Sequence, residues 1–269
     1  MLDIKLIANI QVLESLKAQY LKETTGPLDG MWLHGFLPMA THYGFYDGSD
    51  IVGYYCINAE GYMLQFYLVE QYKSQAGELF EKILSNDGLS ARIQGAFVST
   101  LEPEYLSLCF DYFPHSKPQT LMYRQSQVLI DDENILPVSE LTIEQLKEAV
   151  TFAHSAIGTP KEWLRGYYEN LINRRELLGY WEEGELVATG ECRGSEGHQA
   201  EYADLGMIVA KSQRGKGLGT RMIRTMSKRA ASQALKAICS TEVTNQGSQK
   251  ALSRAGFYAA NRILQFTRI

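Results

Sequence analysis

The feature that most constrains the fold of this chain is an internal repeat. The segment 44–53 (GFYDGSDIVG) aligns without gaps on the segment 179–188 (GYWEEGELVA). Each segment reads as a strand, an acidic turn containing glycine, and a second strand, which is the pattern of a β-hairpin. In each half, two more strand-like runs, a helical pattern and a further strand follow in the same order. The sequence therefore predicts two copies of one α+β unit, each with a mixed, mainly antiparallel sheet flanked by helices.

The hydrophobic periodicity places the later elements of each copy. The predicted strands lie at 54–57, 62–69, 91–100, 189–192, 202–209 and 237–243, and the predicted helices at 74–84, 143–156, 161–173 and 219–234. A charged break precedes Pro137, so the seam is expected at 125–137. We therefore predict a first domain over 1–125 and a second over 126–269, which agrees with two domains of ordinary size.

Composition and charge exclude several classes of function. The chain has 269 residues, 45% of them hydrophobic, and a formal net charge of -5. An acidic protein as a whole repels nucleic acid and anionic membranes, so neither is an expected partner. The four cysteines stand singly, without the spacing of a zinc site, and we expect no bound metal. Without a signal peptide or an apolar span, the chain is expected in the cytoplasm.

One segment reverses this acidic character. Between Leu205 and Thr241 there is no acidic residue, and eight are basic. Gly215, Gly217 and Gly219 alternate there, directly after a predicted strand and before a predicted helix. Glycine permits positive φ and leaves room beside the backbone, so successive N–H groups can converge on an anion. The start of the following helix favours the same charge, and the sequence thus predicts a phosphate-binding loop.

The spacing of this loop distinguishes it from two common phosphate motifs. Lys216 is followed by Gly217 instead of a hydroxyl residue, so the loop is not a P-loop. The glycines read G-x-G-x-G, whereas a dinucleotide fingerprint needs G-x-G-x-x-G. The register that remains is Arg214-x-x-Gly217-x-Gly219.

This register resembles the pyrophosphate loop of the GNAT superfamily of N-acetyltransferases, [Q/R]-x-x-G-x-[G/A], which lies between the fourth strand and the third helix. A second motif of many members, N-x-x-[A/S]-x-x-x-Y-x-x-x-G-F, is matched at Asn245, Ser248 and Gly256-Phe257, with Leu252 at the tyrosine position. The resemblance covers the chain from about 126 to its end, and the repeat extends it to a tandem architecture with a degenerate first copy.

The resemblance implies that the second half binds acetyl-coenzyme A. It implies that the backbone of the strand before the loop pairs with the pantetheine arm, that the loop holds the pyrophosphate, and that the second motif completes the site. The residues it assigns to the cosubstrate are Met207, Val209, Arg214, Gly215, Lys216, Gly217, Leu218, Gly219, Thr220, Asn245 and Ser248. In the first half the equivalent segment, 72–78, has one glycine and a carboxylate, so we expect no coenzyme A there.

The implied reaction is direct attack of an amine on the thioester. An alkyl amine has a pKa near ~10 and must lose a proton first, so a general base is required. Glu191, Glu201 and Asp204 are alternative candidates, because they lie on the two strands before the loop. Leu252 can donate no proton to the leaving thiolate, which leaves open a catalytically inactive, coenzyme A-binding regulatory protein.

The acceptor is the least constrained part of the prediction. The family chooses it with the helices after the first strand, here 138–178, which contain Trp163, Tyr167 and Tyr168. The acidic overall charge favours a cationic acceptor, so we expect an amine of a small molecule or a peptide. A homodimer is one arrangement consistent with the sequence.

Overall fold

A computed structural model describes residues 2–85, 93–126, 135–195 and 197–268 of the chain. It divides into two compact units, Met1–Leu121 with Asn261–Ile269, and Met122–Ala260. The second unit is thus formed by one continuous segment, whereas the first also includes the end of the chain. Most of the seam predicted at 125–137 lies outside the described residues.

The first unit is a sheet with helices formed from its own segments. Its elements are β1 (Asp3–Leu6), α1 (Glu14–Glu23), β2 (Thr41–Asp47), β3 (Asp50–Ile57), β4 (Tyr62–Leu68), α2 (Ala76–Ser85), β5 (Gly95–Ser99), α3 (Pro103–Tyr112), the larger part of β6 (His115–Gln125) and the last part of β12 (Phe257–Thr267). Its strands follow the order β1-β2-β3-β4-β5-β12-β6. Phe45, Phe80 and Phe266 are fully buried at the centre of its core.

The second unit repeats this plan. Its elements are β7 (Ser139–Glu140), α4 (Leu146–Ile157), α5 (Lys161–Asn173), β8 (Leu177–Glu182), β9 (Glu185–Gly194), β10 (Tyr202–Val209), α6 (Leu218–Ser232), β11 (Lys236–Glu242) and α7 (Gln246–Arg254). Strands β7 to β10 pair in antiparallel fashion, and β11 joins β10 in parallel. The predicted α+β class with mixed, mainly antiparallel sheets is confirmed. The helix predicted at 161–173 and the strand predicted at 202–209 have the predicted bounds.

The repeat extends to the irregularities of the hairpins. The β2–β3 pairing shifts register between Phe45 and Tyr46, and the β8–β9 pairing shifts between Tyr180 and Trp181. These are equivalent positions in the gap-free alignment of the two segments. A β-bulge kept at the same place indicates a feature required by the packing of each copy.

A glycine beside each bulge has the same packing role. A Cβ added to Gly44 would lie 2.9 Å from the ring of Tyr46, and one added to Gly179 would lie 2.3 Å from the ring of Trp181. In each copy, the aromatic side chain two residues on therefore covers the glycine, which explains why the aligned segments share it.

Strands β10 and β11 separate before they end, and this separation prepares the site. Their parallel register pairs Tyr202 with Lys236, Ala203 with Ala237 and Asp204 with Ile238. Within the fully described range 197–268, β10 and β11 have no further paired position, although β10 continues to Val209. The last part of β10 consequently has a free edge on the β11 side.

Candidate functional site

The glycine-rich loop between β10 and α6 has the conformation that its sequence predicts. A 3-10 turn at Lys211–Gln213 follows β10, and Gly217 precedes the first residue of α6. Gly215 and Gly217 have φ angles of 78° and 86°, in the left-handed region that favours glycine. A Cβ on either residue would meet no atom within 4 Å. Backbone conformation, and not packing, therefore requires glycine at these two positions.

The start of α6 supplies hydrogen-bond donors beside this loop. The first backbone hydrogen bond of the helix runs from the Arg221 N–H to the Gly217 carbonyl, at 3.2 Å. The N–H groups of Leu218, Gly219 and Thr220 precede that bond and have no carbonyl one turn back within the helix. Together with the positive end of the helix dipole, they form a site suited to a phosphate group.

Gly219 has a different role from the other two glycines. It lies inside the first turn of α6, and a Cβ there would be 3.1 Å from the Met207 sulfur and 3.6 Å from the Ala251 Cβ. Glycine therefore lets α6 approach β10 and α7 closely. This packing holds the start of the helix next to the end of β10.

The two basic side chains of the loop are arranged differently. The Lys216 ammonium is exposed, 3.0 Å from the Gln213 amide oxygen. The Arg214 guanidinium donates to two backbone carbonyls, that of Val209 at 3.3 Å through Nε and that of Ala156 at 2.7 Å through Nη2. The resemblance assigns both residues to the cosubstrate, but in this structure the guanidinium of Arg214 is hydrogen-bonded to the backbone.

The free edge of β10 leads to the loop. The Ala210 N–H donates to Val187 of β9 at 2.9 Å. Since N–H directions alternate along a strand, Met207 and Val209 direct theirs away from β9, toward the gap left by β11. These are the two residues assigned to the pantetheine arm. An extended ligand could pair with this edge like an added strand, with one of its ends at the loop.

The structure separates the three candidate bases. Glu201 is exposed directly before β10, 2.5 Å from the Lys236 ammonium, which lowers the pKa of its carboxyl. It lies eight residues before Val209, about 26 Å along the strand, and is not brought to the loop. Asp204 is buried and forms an ion pair with Arg193 at 3.0 Å. Glu191, on β9, is directly opposite Gly206 in the last part of β10.

The carboxylate of Glu191 is held from one side. Its Oε2 atom accepts from the Tyr167 hydroxyl at 2.5 Å and from Arg193 Nη1 at 2.9 Å. Both donors use Oε2, and within the described part of the chain no hydrogen bond to Oε1 is found. A Cβ on Gly206 would lie 3.0 Å from Oε2, so glycine at 206 provides the space for this carboxylate beside β10.

Aromatic side chains of α5 extend this cluster toward the surface. The Trp163 ring stacks on Tyr167 with centroids 4.8 Å apart, and Trp163 is 38% exposed. Burial and the adjacent Glu191 carboxylate raise the pKa of the Tyr167 hydroxyl well above its usual range, so it stays a donor. Arg193 was not singled out in the sequence, although its spacing of two from Glu191 puts both on one face of β9.

The second motif has mainly structural contacts in the described residues. Asn245 precedes α7, and its side-chain oxygen accepts from the Ser248 N–H at 3.1 Å, which caps the helix. Ser248 is exposed. Leu252, at the tyrosine position, is buried in the core with 3% exposure.

The corresponding segment of the first unit contains a 3-10 helix, Glu70–Gln75, that continues into α2. The ammonium of Lys73 there lies 2.7 Å from Glu104, 2.9 Å from Glu23 and 3.1 Å from Glu70. These carboxylates raise the pKa of Lys73 despite the opposing effect of desolvation. An excess of carboxylates would repel a pyrophosphate, which is consistent with the absence of a coenzyme A loop predicted for this half.

The described residues contain neither a metal-binding cluster nor a membrane-spanning helix. No group of three His, Cys, Asp or Glu side chains among them could hold a metal ion. None of the described helices is long and apolar enough to cross a membrane.

Comparison with known proteins matches both halves of the chain to one family. Residues 9–126 match the model described as "Acetyltransferase (GNAT) domain", and residues 143–257 match "Acetyltransferase (GNAT) family". No curated protein matches the chain. The repeat seen in the sequence is thus reflected in two successive matches, one for each copy.

Solved structures resemble the chain over its whole length. An acetyltransferase of the GNAT family from Colwellia psychrerythraea is 44% identical, with a TM-score of 0.93 over 98% of this chain and 99% of that one. A tandem GNAT protein from the clavulanic acid biosynthesis pathway is 14% identical, with a TM-score of 0.63 over 99% of this chain and 98% of that one. At that identity the second likeness concerns the fold alone.

Proposed function

We propose that this chain, which belongs to the GNAT acetyltransferase family, transfers the acetyl group of acetyl-coenzyme A to an amine of a small molecule or peptide. The observation that carries the proposal is the free edge of β10, which ends at Val209, beside the phosphate-binding loop. The two features together suit a ligand with an extended, amide-containing arm and a pyrophosphate. Coenzyme A has both.

The residues fit this cosubstrate in three places. The N–H groups of Leu218, Gly219 and Thr220 would bind the pyrophosphate, with Lys216 supplying charge. The edge of β10 at Met207 and Val209 would pair with the amides of the pantetheine arm. Asn245 already caps α7, so we assign it and Ser248 to shaping the site and not to direct phosphate binding.

Acetyl-coenzyme A supplies a thioester that an amine nitrogen can attack. The new N–C bond forms as the C–S bond breaks, and the amine proton must go to a base. We assign that role to Glu191, because its Oε1 accepts no hydrogen bond from the described residues while Tyr167 and Arg193 hold Oε2. The Met207 N–H at the free edge of β10, which is farther from the loop than Val209 and follows Gly206 opposite Glu191, would stabilise the oxyanion.

Departure of the thiolate needs no dedicated acid in this account. A thiol has a pKa of about 8.5, so its thiolate is a tolerable leaving group near neutral pH and can take a proton from water. The buried, apolar Leu252 also favours a second candidate, a coenzyme A-binding regulatory protein without turnover. We place either activity in the cytoplasm, with no nucleic acid, membrane or metal involved.

The experiment that tests the proposal is release of free thiol from acetyl-coenzyme A across a panel of primary amines, including amino sugars, polyamines and peptides. The proposal predicts release that requires an amine and is lost in Gly217→Asp. Tight binding of acetyl-coenzyme A with no release for any amine would support the regulatory candidate. Failure of acetyl-coenzyme A to bind would refute both.

A further inference from the structure

We infer that Arg214 is a positioning residue, whose guanidinium braces the end of β10 against the end of α4 instead of binding phosphate. The inference rests on the proposed function for its catalytic consequence, but not for its geometry. Nη2 lies 2.7 Å from the Ala156 carbonyl and Nε lies 3.3 Å from the Val209 carbonyl. A planar guanidinium can reach both carbonyls at once, which an ammonium cannot do with fixed geometry.

The contact with Ala156 is favourable for two reasons. Ala156 lies in the last turn of α4, where carbonyls have no partner within the helix. The helix ends at Gly158, in the left-handed conformation with φ 78°, and its C-terminal end carries partial negative charge. Arg214 thus provides both a hydrogen bond and a positive charge at this helix end.

The contact with Val209 fixes a peptide group that matters for the reaction. In the peptide between Val209 and Ala210, the N–H donates to Val187 of β9 and the carbonyl accepts from Arg214. Both polar ends of this peptide are therefore held. The adjacent Val209 N–H, assigned to the pantetheine arm that carries the thioester, receives its direction from this anchored peptide.

The brace also connects the cosubstrate loop to the acceptor side. Only residues 158–160 separate α4 from α5. Helix α5 carries Tyr167, whose hydroxyl holds Glu191. Arg214 therefore links the end of β10 to the element that positions the base, and it can set the distance between thioester and base.

Lys216 offers an internal comparison. Its only described hydrogen bond is to the Gln213 side chain, and it is exposed, so it can turn toward a phosphate. If the loop uses charge to bind pyrophosphate, Lys216 should supply it. Arg214 and Lys216 are then two basic residues of one loop with separable roles.

Calorimetric titration of coenzyme A separates these roles. Three variants are compared at low and at high salt: Arg214→Lys, Arg214→Gln and Lys216→Gln. If Arg214 acts as a brace, both Arg214 variants keep the coenzyme A affinity within about threefold of wild type and keep its salt dependence. Lys216→Gln, in contrast, binds coenzyme A about tenfold more weakly, and its affinity depends less on salt. The inference is overturned if Arg214→Gln loses affinity as Lys216→Gln does while Arg214→Lys retains it, since charge alone would then matter.

Steady-state kinetics supply the catalytic readout. Both Arg214 variants should raise the KM of the amine about tenfold or lower kcat by a similar factor, with the KM of acetyl-coenzyme A nearly unchanged, because misplacement of positioned groups is costly. Wild-type values for kcat and for the KM of the amine in Arg214→Lys would overturn the inference, because the forked geometry would then have no effect.

Hydrogen exchange tests the brace even if the proposed function fails. The amides of Gly158 and Ala210 donate to His154 and Val187, at 2.8 and 2.9 Å. Both should exchange faster in Arg214→Lys and Arg214→Gln than in wild type, and at wild-type rates in Lys216→Gln. Unchanged exchange in the Arg214 variants would overturn the brace. Absence of coenzyme A binding by the wild type would refute the proposed function alone.

Discussion

The Tyr167 hydroxyl donates a hydrogen bond of 2.5 Å to the Glu191 carboxylate. Arg193 Nη1 contacts both groups, at 2.6 Å from the Tyr167 oxygen and 2.9 Å from Glu191 Oε2. The three side chains come from α5 and β9, and together they fix one carboxylate beside the last part of β10. This arrangement is the reason why we propose Glu191 as the base among the three carboxylates that the sequence offered.

Glu191→Gln is expected to lower kcat at least about 100-fold, because the amide cannot accept the amine proton. The affinity for acetyl-coenzyme A should be unchanged, since the loop is intact. Amine-dependent thiol release and a binding titration measure the two effects. Glu201→Gln is the matched control and should keep wild-type kcat, as Glu201 lies at the other end of β10. Equal losses in the two variants would contradict the assignment.

Arg193→Met should destabilise the second unit by roughly 3–5 kcal/mol, because the buried Glu191 and Asp204 carboxylates lose the cation that they share. Chemical denaturation provides the free energy of unfolding. The control is Lys236→Met, which removes an exposed ion pair with Glu201 and should leave the unfolding free energy near the wild-type value. An Arg193→Met protein as stable as the control would show that the buried carboxylates do not need Arg193.

Gly217→Asp should reduce coenzyme A affinity more than about 100-fold, because it adds a carboxylate at the helix start where the pyrophosphate is expected. Gly217→Asn is the control: it has nearly the same shape, tolerates the same left-handed φ of 86° and adds no charge. The coenzyme A affinity of Gly217→Asn should fall by no more than about tenfold. Similar losses for Asp and Asn would indicate that backbone strain, and not charge, governs the loop.

Glu102 predicts a pH dependence of stability in the first unit. Burial raises the pKa of its carboxyl from 4.5 to about 7, opposed by hydrogen bonds from Tyr20 and from the Ser99 N–H. A raised folded-state pKa means that its favourable contribution is full below about pH 4.5 and is lost as the pH rises through about 7. Wild type should therefore lose roughly 3 kcal/mol relative to Glu102→Gln between about pH 4.5 and pH 8.

Unfolding measured on both proteins at the two pH values gives this difference. The comparison with Glu102→Gln removes the contribution of His42, whose pKa is lowered to about 4 by burial and whose effect has the opposite sign. A wild-type-to-variant difference that does not change with pH would contradict the account of Glu102.

The loop could be predicted from the sequence because each of its local conformations requires a particular residue type or pattern. Positive φ at Gly215 and Gly217 needs glycine, and the helix start follows directly from the apolar pattern of α6. The hairpins could also be predicted from the sequence, since each has a short acidic turn between two strand-like runs. The two successive family matches confirm the predicted tandem.

Other features depend on tertiary packing and were not accessible from the sequence. The choice of Glu191 depends on which face of β9 meets α5 and on the glycine at 206 across the sheet. The brace of Arg214 joins residues 58 positions apart in the chain. Helices α1 and α3 were not predicted, since α1 has a weakly amphipathic sequence and α3 begins at Pro103 after a short connection.

The most direct test of the central claim is a crystal structure with acetyl-coenzyme A bound. We expect the pyrophosphate within hydrogen-bond distance of the N–H groups of Leu218, Gly219 and Thr220, and the thioester oxygen on the Met207 N–H. We also expect the guanidinium of Arg214 to stay on the Ala156 and Val209 carbonyls. A pyrophosphate bound elsewhere, or a thioester directed away from the Glu191 side of β10, would contradict the account.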